Sequence, residues 1–260
     1  MDLIIEFIRI KEEIKNRVKT LFEGLDESLI KTDPEWVDIV VNFSQEEVIK
    51  ENKLTNKEQM LSILSVLLGT QALGEYKNML HAALKSGVDP VAIKETVYQA
   101  TAYLGIGRVH DFLVATNKVM EEFGITLPLP TQKIVTEETR FHDGLEKQVS
   151  LFGPGMRKQQ TDAPELRSNV NRWLADNCFG DYYTRNGLND QEREMITFCF
   201  ILAQGGCENQ LQGHTAGNIM AGNDKAKLYS IVEQCMPYIG YPRTLNAMNI
   251  IDEVANQLSK

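Results

Sequence analysis

The chain has little cysteine and no surplus of positive charge. Its four cysteines, Cys178, Cys199, Cys207 and Cys235, all fall in the second half of 260 residues. None forms a CxxC pair, and the spacings do not suit zinc, so no metal site is expected. In a cytoplasmic chain most of them read as buried thiols. Lysine and arginine total 27 against 36 acidic residues, a formal net charge of −9. An acidic chain without a basic stripe lacks the phosphate neutralisation that supplies most nucleic-acid affinity, so no nucleic-acid partner is expected. No apolar run approaches the roughly 18 residues needed to span a bilayer, so no membrane partner is expected either. The N-terminus does not read as a secretion signal, because Asp2, Glu6, Glu12 and Glu13 interrupt its apolar positions. A cytoplasmic location follows as the expectation. Alternating strand patterns are also missing, which leaves an all-α fold.

What the chain does have is a stretch written twice, about 135 residues apart. Leu54–Leu113 aligns with Leu188–Met248, and setting Gly87 over Gly222 brings the rest into register. Asp89 meets Asp224, Gln99 meets Gln234, Tyr103 meets Tyr238, Gly105 meets Gly240 and Arg108 meets Arg243. One extra residue before Cys207 absorbs the gap. A length that fits one large domain or two of about 130 residues is thereby resolved in favour of two, drawn at 1–125 and 126–260.

Helical periodicity runs almost throughout. Leu3, Phe7, Ile10, Ile14, Val18 and Leu21 mark a helix over 2–22, and Pro34 opens another over 33–52. In the first repeat, helices are expected over 57–70 (capped by Thr55 or Asn56), 72–86 (ended by Gly87), 90–103 (capped by Asp89) and 108–123. The second repeat gives 190–204, 207–221, 224–236, a break from Pro237 to Pro242, and 243–258. Between them, a helix ending at Gly153 precedes GPGMRKQQTDAPE, which reads as loop, and a further helix leads into the second repeat.

Reactive side chains lie only in the second copy. If CENQLQGHTAGNIMAG is one helix, Cys207, Gln210 or Leu211, and His214 share a face. Cys207 and His214 are then two turns apart, about 10 Å along the axis. Cys207 would sit in the first turn, where free N–H groups and the helix dipole favour a thiolate, and His214 is a proton carrier suited to neutral pH. In the first copy Ala72 stands at Cys207, Met79 at His214 and Glu75 at Gln210, while His81 points to a different face. That copy reads as structural, supplying at most Glu75, Tyr76 or Tyr103 to a shared pocket.

The His214-to-Gly222 spacing and the tail Tyr238-Ile-Gly-Tyr-Pro-Arg, followed by Leu245-Asn246-Ala247, resemble the carboxymuconolactone decarboxylase family, which also holds the alkylhydroperoxidase D proteins. The resemblance covers roughly 54–120 and 188–258 and implies a tandem of two helical domains of that family. Its peroxidase branch carries Cys-x-x-Cys-x-x-x-His with a Glu from the preceding helix. By that register Cys207 matches the first Cys, His214 the His and Glu194 the Glu, within one residue. Gln210 stands where the second Cys belongs, so no local thiol could resolve a sulfenic acid. The decarboxylase branch fits better there and implies an enzyme acting on a small organic acid or lactone. In it His214 donates the proton, Arg243 holds a carboxylate, Glu194 or Glu208 sets the protonation of His214, Gln210 lies at the substrate, and no cofactor is needed. A thiol peroxidase using Cys207, and a non-catalytic small-molecule binder, are the alternatives.

Plainer roles stand beside each of these. Cys207 fits a small residue under a helix start, His214 a core histidine, Glu208 a first-turn charge and Glu194 a solvated helix face. Arg108 and Arg243 recur in both copies, as do Tyr103 and Tyr238, which favours folding over chemistry. Cys178 and Cys235 show no partners. ITFCFIL and LSILSVLLG are apolar on more faces than a lone small bundle buries, which points to a homo-oligomer, most simply a trimer of tandem chains.

Overall fold

The computed structural model describes residues 27–259. The helix expected over 2–22 lies outside the described residues. The first repeat comprises α1 (Glu27–Thr32), α2 (Pro34–Val41), a π-helical stretch (Asn42–Glu47), α3 (Val48–Glu51), α4 (Asn56–Thr70), α5 (Leu73–Lys85), α6 (Pro90–Leu104) and α7 (Ile106–Glu122). After an extended segment come α8 (Arg140–Phe152), α9 (Gly155–Thr161), α10 (Glu165–Trp173), a second π-helical stretch (Leu174–Tyr183), α11 (Asp190–Gln204), α12 (Glu208–Ala221), α13 (Lys225–Ile239) and α14 (Tyr241–Leu258).

Local chemistry writes the same ends twice. Thr55 accepts from the Glu58 amide while Glu58 reaches back, and Asn189 and Glu192 do the same for α11. These reciprocal caps satisfy amides that the first helical turn leaves without partners. Asp89 and Asp224 each accept an amide at the starts of α6 and α13. Two expectations need correction. The segment after Gly153 is not all loop, because Gly155–Thr161 is helical. α13 also does not break at Pro237; it runs through it to Ile239 and stops at Gly240, whose φ is 77°. The missing proline N–H is tolerated this near a helix end, where only one carbonyl loses its partner.

α4 and α11 cross at the centre, where a Cβ on Gly69 would lie 2.6 Å from that of Ala203. Leu61, Leu64, Val66 and Leu68 of α4 and Ile196, Phe198, Phe200 and Ala203 of α11 are all buried in one core that both repeats share. The apolar surplus of ITFCFIL and LSILSVLLG is therefore consumed inside the chain. Each copy buries the other's central helix, so those runs do not by themselves require an oligomer.

Candidate active site

Glu194 lies one turn into α11, a helix buried nearly all round. Its side chain has no exposed area, and its Oε2 is 2.9 Å from Nδ1 of His214, whose side chain is 13% exposed. Gly217 makes this pairing possible. A Cβ there would sit 2.5 Å from Glu194 Oε2 and 2.7 Å from the Phe152 ring. One turn further on, Asn218 donates to the backbone carbonyls of Glu194 and His214 at 2.9 and 2.7 Å, locking α12 onto α11.

The imidazole is held between two rings. Tyr103 of α6 meets it edge-on with centroids 5.4 Å apart, and Phe152 of α8 does so at 5.5 Å. Edge-to-face packing of this kind restricts the ring without consuming its polar atoms. With Nδ1 committed to a carboxylate acceptor, Nε2 is the nitrogen left to meet a substrate.

A chain of hydroxyls ends on the same carboxylate. The Tyr183 hydroxyl donates to Glu194 Oε1 at 2.9 Å, and Tyr103 donates to the Tyr183 oxygen at 2.9 Å. The Cys178 thiol donates to the Tyr103 oxygen at 3.7 Å. Thr197 lies 2.7 Å from the Tyr183 oxygen and accepts from Gln99 Nε2 at 2.8 Å, which leaves its own proton for Tyr183. Each of these protons points towards Glu194, the arrangement that stabilises a buried carboxylate. Burial pushes the hydroxyls of Tyr103 and Tyr183 well above the ordinary phenol range, and nearby Glu194 adds to this. Burial likewise lifts the Cys178 thiol to about 12. These groups remain protonated donors.

The other expected residues fall elsewhere. Cys207 is the residue preceding α12, half-buried, and its sulfur accepts from Gln204 Nε2 at 3.4 Å. It precedes the first turn rather than lying within it. Gln210 and Glu208 are exposed, and Leu211, not Gln210, fills the buried face between Cys207 and His214. The carboxylate beside His214 belongs to Glu194, not Glu208, and Glu194 is no solvated charge. Arg243 packs on Gly205 and points a guanidinium nitrogen at the Leu202 carbonyl, 3.5 Å away, at the end of α11. That is the position of a helix C-terminal cation. Tyr76 is buried elsewhere, 2.7 Å from Thr116, so Tyr103 is the aromatic that the first repeat brings to His214. Cys178 has a partner after all, in Tyr103, and Cys235 has one in Cys199.

Sequence reasoning did not single out Tyr183, Thr197, Phe152 or Asn218. Tyr183 and Cys178 come from the π-helical stretch, whose wider winding turns them inward, and such stretches are frequent at functional sites. One signal was available. Glu194 and Thr197 are polar residues opening a run that is otherwise apolar on every face, and such residues need partners inside.

Comparisons with known proteins place the fold and the family. The 4-carboxymuconolactone decarboxylase of Acinetobacter baylyi is 24% identical over 125 residues, spanning 48% of this chain and 92% of that protein. A solved structure from Burkholderia xenovorans LB400, provisionally named a gamma-carboxymuconolactone decarboxylase subunit, superposes with a TM-score of 0.56 at 18% identity. It covers 96% of this chain and 98% of its own, a likeness of fold. The carboxymuconolactone decarboxylase family profile matches residues 34–118 and again 169–253, and the chain belongs to that family of small helical enzymes acting on small organic molecules.

Proposed function

We propose that the protein is a decarboxylase acting on a small organic acid or lactone, with His214 as its proton donor. The observation that supports this is the Glu194–His214 pair, a buried carboxylate fixing a partly exposed imidazole at 2.9 Å. In the reaction the bond to the carboxylate carbon breaks, carbon dioxide departs, and the electron pair stays on the substrate carbon, delocalised into a neighbouring carbonyl. His214 Nε2 delivers a proton to that carbon. Glu194 holds the ring and offsets the imidazolium charge before transfer, and general acid catalysis of this kind contributes about 10²–10⁴-fold. Water then reprotonates the imidazole, so no oxidant or reductant is consumed.

The test is carbon dioxide release from 4-carboxymuconolactone and related lactone acids. His214→Ala is expected to slow turnover by about 10²–10⁴-fold, and Cys207→Ser to leave it nearly unchanged. Peroxide turnover that disappears with Cys207→Ser, and no release of carbon dioxide, would replace this reading with the thiol peroxidase. The other three cysteines are buried, so that cycle would need a thiol from outside the chain to resolve it.

A homotrimer of tandem chains is part of the proposal. Its support is the apolar surface left exposed at equivalent positions of the two copies: Ile106 with Tyr241, and Phe123 with Leu258. A ring of alternating copies needs such a repeated surface. Light scattering should find a mass about threefold that of the chain, and a stable monomer would exclude it.

A further inference from the structure

Away from His214, a cavity of about 500 Å³ opens between α6, α7 and the extended segment Leu127–Gln132, with Arg185 at its wall. That volume falls within the range of small-molecule sites, about 300–1,000 Å³.

The unusual element is Lys94. It is only 6% exposed, and its ammonium donates to Asn117 Oδ1. Among the described residues no carboxylate pairs with it. The neighbouring Glu95 is taken up by two other cations, Arg185 at 2.9 Å and the fully buried Arg193 at 3.3 Å. Glu121 lines the cavity from an exposed position. An ammonium has three donors, and a buried cation without a counter-charge is costly. Burial pulls Lys94 below the ordinary lysine range, and no neighbouring anion opposes the shift.

Arg185 provides the second cation. Its Nε and one terminal nitrogen grip Glu95 at 2.9–3.1 Å, and the guanidinium lies over the Tyr98 ring at 5.2 Å. Its remaining terminal nitrogen has no protein partner among the described residues. The part of the wall formed by Leu127–Pro130 is apolar.

We propose that this cavity is a second small-molecule site, separate from the His214 centre, that takes a small organic acid. The carboxylate lies between Lys94 and Arg185, and the apolar body rests against Tyr98 and Leu127–Pro130. The site is independent of the decarboxylase reading, since none of its residues touches His214 or Glu194.

Calorimetric titration with benzoate tests it, with inorganic phosphate and benzyl alcohol as comparisons. Benzoate should bind saturably, and Lys94→Met should weaken that binding at least about tenfold. Lys94→Arg, which keeps the charge, should retain it. His214→Gln should leave the Lys94-dependent binding intact, which separates this site from the catalytic one. Far-UV circular dichroism verifies folding, and Lys94→Gln serves if the Met variant does not fold. Equal binding by wild type and the variant that removes the charge, Lys94→Met or Lys94→Gln, or no saturable binding at all, would overturn the proposal. So would loss on His214→Gln alone. Phosphate binding as tightly as benzoate, or benzyl alcohol doing so, would overturn the organic-acid assignment.

Discussion

The two copies share helix limits, caps and a core, yet differ at each polar position around the candidate site. Where the second copy has Glu194, Thr197, His214 and Asn218, the register places Met60, Ile63, Met79 and Ala83 in the first. Where the second has Gly217, making room for a carboxylate, the first has Ala82. The tyrosines, in contrast, are kept and exchanged. Tyr103 of the first copy packs on His214 of the second, and Tyr238 of the second reaches Met79 of the first, its hydroxyl 3.6 Å from the sulfur. One scaffold position therefore carries two chemistries. The difference teaches that the polar set acts as a unit: a buried carboxylate, its histidine, its hydroxyl donors and the glycine that admits it are present together or replaced together.

The largest effect should come from breaking that unit in halves. Glu194→Met or His214→Met alone strands a buried polar partner and should cost about 3–5 kcal/mol. Together they reproduce the first copy's Met60 and Met79, and the double variant should recover at least about 2 kcal/mol of the summed loss. Urea denaturation of the four proteins measures this, and simple additivity would show that the two residues are not a unit. Next is Gly217→Ala, which imposes the first copy's residue. The new Cβ collides with Glu194 and Phe152, at a cost of about 1–3 kcal/mol. In the Glu194→Met, His214→Met background that cost should shrink, because the carboxylate is gone. If it does not, the glycine serves helix packing instead.

The smallest effect concerns alkaline pH. Cys178 is lifted by burial from 9.0 to about 12. The folded chain thus holds its proton where the unfolded chain has lost it. Its contribution to stability is complete below about pH 9 and declines as pH rises towards 12, by about 1.4 kcal/mol per unit. Tyr103 and Tyr183 add the same sign of dependence above about pH 10. Melts at about pH 8 and about pH 10.5 should show the fall, and Cys178→Ala should make it shallower. An unchanged slope would mean that the thiol does not feel this environment.

Much of the framework was legible. The expected helix over 190–204 matches α11, and Gly87, Asp89, Gly222 and Asp224 mark their boundaries, because caps and left-handed turns are decided within a few residues. His214 and Glu194 were legible from the spacing of the second copy and its likeness to a family. Phe152, Cys178 and Tyr183 were not, since they reach the site from α8 and a π-helical stretch whose winding has no simple period in sequence. The spacing left Gln210 or Leu211 open, and packing decided between them as it did the placing of Arg243. A helical face predicted from one helix alone is rotated by whatever packs on it, here turning Leu211 inward, and Arg243 found the end of α11 before any substrate.

By itself, then, the sequence determined an all-α chain with a duplicated unit, the limits of most helices, and the copy in which reactive side chains lie. These follow from capping, periodicity and composition, which act over short spans of chain. Only the tertiary structure decided that Glu194 is buried against His214, that the first copy lends Tyr103 to the second, and that Lys94 faces a cavity without an anion. Those facts depend on which helices cross, and helix crossing is settled by shape and burial across the whole core.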